Sequence, residues 1–197
     1  MAMKMNMDKE GVGGFLAEIL DGLAVAEYAR LPEIGLYMDQ LTTVIDERLR
    51  GYKRSEVGKK PVLTKTMINN YTKDGVLPPP ERKKYGREQI ALLVLIYHLK
   101  SVITIQDISA IFDVIEDGMM TVESVYKAFE VIQGEKVKSL RDNIGGIVEE
   151  VRGVMNLHPG LAGKSEALPL LTAISLLTEA SLLKLLAERL IDSFKEV

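Results

Sequence analysis

Cysteine and tryptophan are absent from this 197-residue chain, and histidine occurs only twice, at His98 and His158. Without a thiol there is no disulfide, no thiolate metal ligand and no cysteine nucleophile, which suits a reducing compartment. Two histidines so far apart do not make a metal site. Because no nucleophile–base pair stands out either, we expect no catalytic residues, no metal, no cofactor and no enzymatic activity.

Long uninterrupted apolar runs are also lacking. The N-terminal sequence MAMKMNMDKEGVGG has no apolar core of the kind that a signal peptide needs. The most apolar stretch, residues 168–191, contains Glu179, Lys184, Glu188 and Arg189, and each of these charges is costly at the centre of a bilayer. The sequence thus predicts a cytoplasmic protein without a membrane segment.

What the chain does contain is a large supply of aliphatic residues. Hydrophobic residues make up 47% of the sequence but aromatic residues only 6%, which favours helices packed by aliphatic side chains. Apolar residues recur at helical spacing over residues 15–28 and 36–49. Over residues 165–194 they cover more than half of the helical circumference, which predicts a helix buried within a bundle or against a second subunit. Gly134 and Gly145-Gly146 are predicted to interrupt the preceding stretch.

Charge is distributed unevenly along the chain. Residues 50–100 contain 12 Lys or Arg and 4 Asp or Glu, a net charge of +8, whereas the remainder has 13 basic and 24 acidic residues, a net charge of −11. This contrast suggests that one part of the protein meets a polyanion and the other part does not.

The basic region contains one ordered series of local signals. Thr64 is a suitable N-cap for a short helix, and Gly75 stands where the end of that helix needs a left-handed residue. Residues 78–80 are three prolines, residues 81–85 form a basic loop, and another helix is predicted from Arg87. Residues 104–107 (Thr-Ile-Gln-Asp) are a variant of the capping box that begins a further helix. A recognition helix, a wing and a supporting helix occur in this order in a winged helix-turn-helix.

Three strings in this region resemble the head of the MerR-type regulators. They are residues 68–71 (Ile-Asn-Asn-Tyr), 75–79 (Gly-Val-Leu-Pro-Pro) and 84–88 (Lys-Tyr-Gly-Arg-Glu). Residues 37–40 together with 63–71 are similar to an uncharacterised bacterial group, the YkrK-like domain-of-unknown-function family. Three departures stand out: Asn69 replaces the arginine of the MerR pattern, Gly86 replaces its serine, and the loop over residues 50–62 is longer than a tight turn. A thiolate metal sensor of the MerR type is excluded because the chain has no cysteine.

The resemblance implies a mainly all-α fold: a MerR-like winged helix-turn-helix head with a small β wing, followed by a C-terminal helical domain. We expect an N-terminal helix over residues 1–30, packing on the body, a DNA-binding domain over 31–115 and an all-helical domain for dimerisation or effector binding over 116–197. In such a head, cations and helix N-termini bind phosphates while short polar side chains enter the major groove. The predicted DNA-binding residues are Lys65, Thr66, Asn69, Asn70, Tyr71, Lys73, Arg82, Lys83, Lys84, Tyr85 and Arg87.

The sequence therefore predicts a sequence-specific transcriptional regulator that binds double-stranded DNA. We expect a homodimer formed through the C-terminal helices. Whether it also binds a small-molecule effector, and which one, is left open by the sequence. The alternative is a non-catalytic interaction module that uses the same fold to dock an acidic protein. For Tyr71 and Tyr85, packing inside the head is favoured over stacking on bases.

Overall fold

The computed structural model describes residues 2–23, 26–53, 61–117, 120–161 and 163–195. Within these ranges the chain forms seven α-helices, which confirms the expected mainly helical fold. They are α1 (Ala2–Asp21), α2 (Met38–Arg48), α3 (Lys65–Lys73), α4 (Arg87–Leu99), α5 (Ile105–Asp117), α6 (Val122–Asn156) and α7 (Ala167–Lys195). The described residues contain no β-strand, and their β pairing is limited to two isolated antiparallel bridges, Leu36–Tyr85 and Glu81–Lys84.

The chain divides into two compact units, whose boundaries fall inside α6 and α7. Residues 1–23 and 134–186 make up the first unit, and residues 24–133 and 187–197 make up the second. All of the predicted DNA-binding residues belong to the second unit, which we call the basic unit.

The basic unit is built around an aliphatic core. Helix α2 contacts both α3 and α4, and α4 contributes an unbroken run of seven buried residues from Ile90 to Ile96. Ile45 of α2 and Ile68 of α3 are fully buried in the same core, and Tyr126 of α6 completes it. Because the buried side chains of α2, α3, α4 and α6 form one cluster, α3 and the loop that follows it are held on a packed support.

Three local signals in the basic region are confirmed. Thr64 caps α3, since its Oγ1 accepts a hydrogen bond from Met67 N at 3.2 Å. Gly75 follows α3 with φ at 77°, the left-handed conformation predicted for it. Thr104 and Asp107 form the reciprocal capping box of α5, with Asp107 N donating to Thr104 Oγ1 at 3.2 Å and Thr104 N donating to Asp107 Oδ2 at 3.1 Å.

The predicted interruption at Gly134 and Gly145-Gly146 is wrong, because α6 runs without a break through all three glycines. A glycine inside a helix costs about 1 kcal/mol relative to alanine, and here burial of the apolar face outweighs that cost. That face consists of side chains at helical spacing, each less than 9% exposed: Ile144, Ile147, Val148 and Val151.

The N-terminal helix is placed differently from the prediction of a helix over residues 15–28. Helix α1 ends at Asp21, and Tyr28 lies in a separate 3-10 turn, Tyr28–Arg30. Tyr28 is buried in the basic unit, so its apolar character reflects that core. The loop predicted over residues 50–62 begins with a 3-10 turn, Arg50–Tyr52, and its residues 54–60 lie outside the described part of the chain.

Helix α7 differs most from expectation. Its leucines were predicted to be buried, yet Leu177, Leu182 and Leu186 are each at least 60% exposed, and every residue from 181 to 187 is exposed. Burial of these leucines within one chain is therefore wrong. By length and composition α7 could also cross a membrane, since an 18-residue window reaches a mean hydropathy of 1.7 with 6% of it buried. A single such helix is weak evidence for a span.

Candidate nucleic-acid interface

Helix α3 separates buried and exposed residues cleanly. Ile68 and Tyr71 face the core of the basic unit, three residues apart, and burial raises the pKa of the Tyr71 hydroxyl. The other face carries the exposed side chains predicted to bind DNA: Lys65, Thr66, Asn69, Asn70 and Lys73. The helix thus presents two cations and three short polar groups to solvent.

The long connection from α2 to α3 is anchored by one carboxylate. Asp46 of α2 accepts a hydrogen bond from Lys53 Nζ and another from Val62 N, each at 2.8 Å. The Lys53 ammonium and Val62 N lower the pKa of Asp46, against the opposing effect of burial. Lys53 and Val62 are therefore both fixed to α2, and Val62 leads directly into the start of α3.

The start of α3 carries an ion pair that the sequence did not suggest. Lys65 is paired with Asp39 in the first turn of α2, although the two side chains are 58% and 80% exposed. An ion pair this exposed contributes little to stability. Its main consequence is electrostatic, because Asp39 offsets the charge of one of the two exposed cations of α3.

The segment between α3 and the basic loop is tied down at both ends. Val76 N and Leu77 N both donate to Tyr71 O, at 3.0 and 3.1 Å. Further along, Gln89 of α4 donates through Nε2 to the carbonyl oxygens of Pro78 and Pro79, at 3.0 and 2.8 Å. The proline run therefore enters the basic loop in a defined direction.

Residues 81–84 form a tight turn, which we call the basic turn. Lys84 N donates to Glu81 O at 2.9 Å, and the two central residues have positive φ angles, 49° at Arg82 and 66° at Lys83. These angles are those of a type I′ turn, in which Asn and Gly are the usual central residues. An L-residue with a long side chain in this conformation costs about 1–2 kcal/mol, so the turn keeps two cations at its tip despite local strain.

A short bridge joins the basic turn to the chain before α2. Leu36 and Tyr85 exchange two backbone hydrogen bonds, both of 2.9 Å, and their side chains are buried. Tyr85 is thus part of the core, and its bridge to Leu36 supports the basic turn. A β wing was expected here, and the described backbone has only this bridge and the one inside the turn.

Arg87 is occupied within the protein. Its guanidinium donates to Leu31 O through Nε and Nη2, at 3.2 and 2.9 Å, and forms an ion pair of 2.9 Å with Glu33. The guanidinium also lies 5.4 Å from the centre of the Tyr28 ring. These contacts hold the chain before α2 against the start of α4.

Three residues near the interface were missed by the sequence reasoning: Gly35, Tyr37 and Asp39. A β-carbon added at Gly35 would lie 2.9 Å from Lys84 Cβ, and Lys84 Nζ lies 5.1 Å from the centre of the Tyr37 ring. The sequence places Gly35 and Tyr37 immediately before α2 and Asp39 in its first turn, and these positions do not show that Gly35 and Tyr37 contact residue 84 or that Asp39 contacts Lys65. Among the residues that the structure describes, no group of three His, Asp or Glu side chains is placed to hold a metal ion.

The groove beside the basic turn has a volume of about 1380 Å³ and lies entirely in the basic unit. Its apolar floor includes Leu92, Phe112 and Ile115, and its rim carries charges of both signs, such as Arg82 and Glu88. No single charge dominates the rim, so the groove does not by itself indicate the charge of a ligand.

Comparison with known proteins gives one match. No similar protein was found among curated sequences, nor among solved structures. A family model described as a domain of unknown function matches residues 26–129, more than half of the chain and nearly the whole of the basic unit's contiguous part. The chain therefore belongs to that family, DUF1836.

Proposed function

We propose that this protein is a cytoplasmic, sequence-specific DNA-binding transcriptional regulator with a MerR-like winged-helix head. In this proposal α3 is the recognition helix and the basic turn is the tip of the wing. The observation that carries it is the left-handed backbone at Arg82 and Lys83. Strained residues cluster at functional sites, and a turn that retains two cations where Asn-Gly would fit better suggests that the cations are needed.

The side chains have distinct roles in this proposal. Lys65, Lys73 and the cations of the basic turn bind backbone phosphates, with Thr66 at the N-terminal end of α3. Asn69 and Asn70 read base edges, since an asparagine amide can pair with the N6 and N7 atoms of adenine. Tyr71, Tyr85 and Arg87 hold the recognition helix and the basic turn in place through the buried contacts and hydrogen bonds described above.

The proposal includes a homodimer formed through α7. Nine large apolar side chains of this helix are at least 40% exposed, and a second copy would cover them. Glu179, Lys184 and Arg189 interrupt the apolar surface and disfavour a lipid environment. Two heads on one dimer also gain affinity, because binding of the first raises the effective concentration of the second at the DNA.

The direct test of DNA binding is a fluorescence-anisotropy titration of the full chain against random and genomic duplexes at two salt concentrations. Affinity should fall steeply with salt, because each phosphate contact releases counterions. Lys83→Ala should weaken binding to every sequence, whereas Asn70→Ala should relax preference at one position. Lys138→Ala, which removes an exposed cation of α6 outside the basic unit, is the matched control and should bind normally. Salt-independent binding, or identical behaviour of all three variants, would contradict the proposal.

The dimer is tested separately by light scattering after size-exclusion chromatography. Leu182→Glu combined with Leu186→Glu should convert a dimer into a monomer, because each places a charge on the exposed apolar surface of α7. Val131→Glu on α6, at a side chain that is 66% exposed, should leave the dimer intact. A monomeric wild type, or one that sediments with lipid vesicles, would refute dimerisation through α7.

A second candidate is a non-catalytic module that docks an acidic protein. The groove beside the basic turn offers an apolar floor with a charged rim, as is common at protein interfaces. The rim carries charges of both signs, so it is the exposed cations of the basic turn that favour an acidic partner. A protein complex that survives nuclease treatment, together with an absence of DNA binding at low salt, would favour this function over the first.

A further inference from the structure

The chain before α2 forms a slot beside the basic turn. The two hydrogen bonds between Leu36 and Tyr85 align this segment antiparallel to the end of the turn. In an extended chain, residues two apart lie on the same side. Leu36 enters the core, so Gly35 and Tyr37 both lie on the opposite side, against Lys84.

The Lys84 side chain lies along this slot. A β-carbon at Gly35 would come within 2.9 Å of Lys84 Cβ and 3.4 Å of its Cδ, so only glycine leaves room for the lysine stem. At the far end, Lys84 Nζ lies 5.1 Å from the centre of the Tyr37 ring, within the range of a cation–π interaction. Stem and ammonium are therefore both held, although the residue is exposed.

Tyr37 is itself fixed at its backbone. It is the N-cap residue of α2, where its N donates to Gln40 Oε1 at 3.0 Å and its O accepts from Leu41 N at 2.9 Å. The residue is 52% exposed. A solvent-exposed aromatic ring on a fixed backbone is a suitable platform for an ammonium group that must also remain accessible.

An exposed lysine normally samples many rotamers and must lose that freedom when it binds a partner. We propose that Gly35 and Tyr37 are positioning residues that hold Lys84 ready to bind a backbone phosphate of duplex DNA. This inference rests on the proposed DNA-binding function. It adds two residues outside the predicted interface and gives the cations of the basic turn unequal roles, with Lys84 as the ordered phosphate contact.

The test compares full-length variants by anisotropy with a random-sequence duplex at about 50 and about 200 mM salt. Lys84→Ala should weaken binding and lower the salt slope by about 0.9, the loss of one phosphate contact. Gly35→Ala and Tyr37→Leu should each weaken binding about fivefold, because the lysine must then be ordered on binding. Their salt slopes should stay at the wild-type value, because the cation remains. Tyr37→Phe retains the ring and should bind as the wild type does.

A double-mutant cycle gives the decisive result. In the Lys84→Ala background, Tyr37→Leu should have no further effect, since it acts only through the lysine ammonium. Gly35→Ala stays outside this cycle, because its β-carbon would still meet the β-carbon that Lys84→Ala retains. If Tyr37→Leu weakened binding further in the Lys84→Ala background, the positioning role would be overturned. It would also be overturned if Gly35→Ala and Tyr37→Leu bound normally while Lys84→Ala bound weakly. Tyr37→Leu keeps the test decisive if Gly35→Ala does not fold. A wild-type protein that fails to bind DNA at low salt would refute the proposed function and this inference together.

Discussion

Replacing Arg82-Lys83 by Asn-Gly should make the protein more stable and at the same time weaken the proposed binding to DNA. The two residues occupy the centre of a type I′ turn with φ angles of 49° and 66°. Asn and Gly adopt these angles readily, so the replacement removes backbone strain and two cations in a single step. Stability and function are thereby predicted to change in opposite directions.

The gain in stability follows from the turn geometry. The left-handed conformation costs each L-residue about 1–2 kcal/mol. The added glycine offsets about 0.5–1 kcal/mol of the gain, because it gives the unfolded chain more conformational freedom. Because asparagine still carries part of the left-handed cost, the net increase in the free energy of unfolding should lie at the low end, about 1 kcal/mol, or about 3 °C in the midpoint for a chain of this length. Thermal unfolding followed by circular dichroism measures this shift.

The loss in binding follows from the charges. If both cations contact phosphates, the salt slope measured by anisotropy should fall by about 1.8, or about 0.9 for each contact. Arg82→Gln with Lys83→Gln separates the two effects, because it removes the charges and leaves the strained backbone. This control should bind as weakly as the Asn-Gly variant and be no more stable than the wild type. Lys136→Gln with Lys138→Gln, on an exposed part of α6, should change neither property.

Two outcomes would refute the reasoning. An Asn-Gly variant less stable than the wild type would mean that the left-handed angles are not a source of strain. An unchanged salt slope in both the Asn-Gly and the Gln-Gln variants would mean that the basic turn does not approach DNA. The strained turn would then no longer support the proposed function.

Three further predictions concern other parts of the basic unit. Burial lowers the pKa of His98 to about 4 from an ordinary 6.5, so stability should be complete above pH 6.5. The free energy of unfolding should then fall by up to about 2 kcal/mol, after allowance for solvent screening, as the pH falls towards 4. Urea unfolding at several pH values measures this pH dependence, which His98→Gln should abolish. Asp39→Asn frees Lys65 and should tighten DNA binding a few-fold with little change in stability, as titration would show. Hydrogen bonds from Lys195 and Thr104 lower the pKa of Asp107 to about 2. Lys195→Ala should raise that pKa towards 3.8, which NMR titration measures. An unchanged pKa in the variant would show that Lys195 does not bind Asp107 in solution.

The helix ends in the basic region could be predicted because their signals are local. A hydroxyl at Thr64 bonds a backbone amide three residues away, and the box at Thr104 and Asp107 has the same short range. Gly75 takes the left-handed angle that ends a helix. Such interactions depend on residues that are close together in the sequence, so they can be predicted from the sequence alone.

The contacts that shape the candidate interface could not be predicted, because they join residues far apart in the sequence. Lys84 meets Gly35 and Tyr37 only because the Leu36–Tyr85 bridge aligns the two segments. Arg87 was assigned to DNA from its position in a motif, but its hydrogen bonds go to Leu31, which lies 56 residues away. A motif identifies the residue type at a sequence position, but it does not show which atoms that side chain will contact in the folded protein.

Local propensity also failed in α6, where tertiary burial decided the outcome. Glycine weakens a helix by a fixed local amount, whereas the gain from burying Ile144, Ile147 and Val148 on one face depends on whatever packs against it. The glycines could be read from the sequence and the packing partner could not, so the predicted break was wrong.

Two features remain in which the chain departs from what local physical chemistry favours. One is the strained basic turn at Arg82 and Lys83, and the other is the exposed apolar surface of α7 around Leu182 and Leu186. Departures of this kind are expected where a protein meets something outside itself. A single explanation covers both if the turn meets DNA and α7 meets a second copy of the chain, because two linked cationic heads bind more tightly than one through their effective concentration. The variants of α7 should therefore weaken DNA binding as well as dissociate the dimer, although they leave every cation of the basic unit in place.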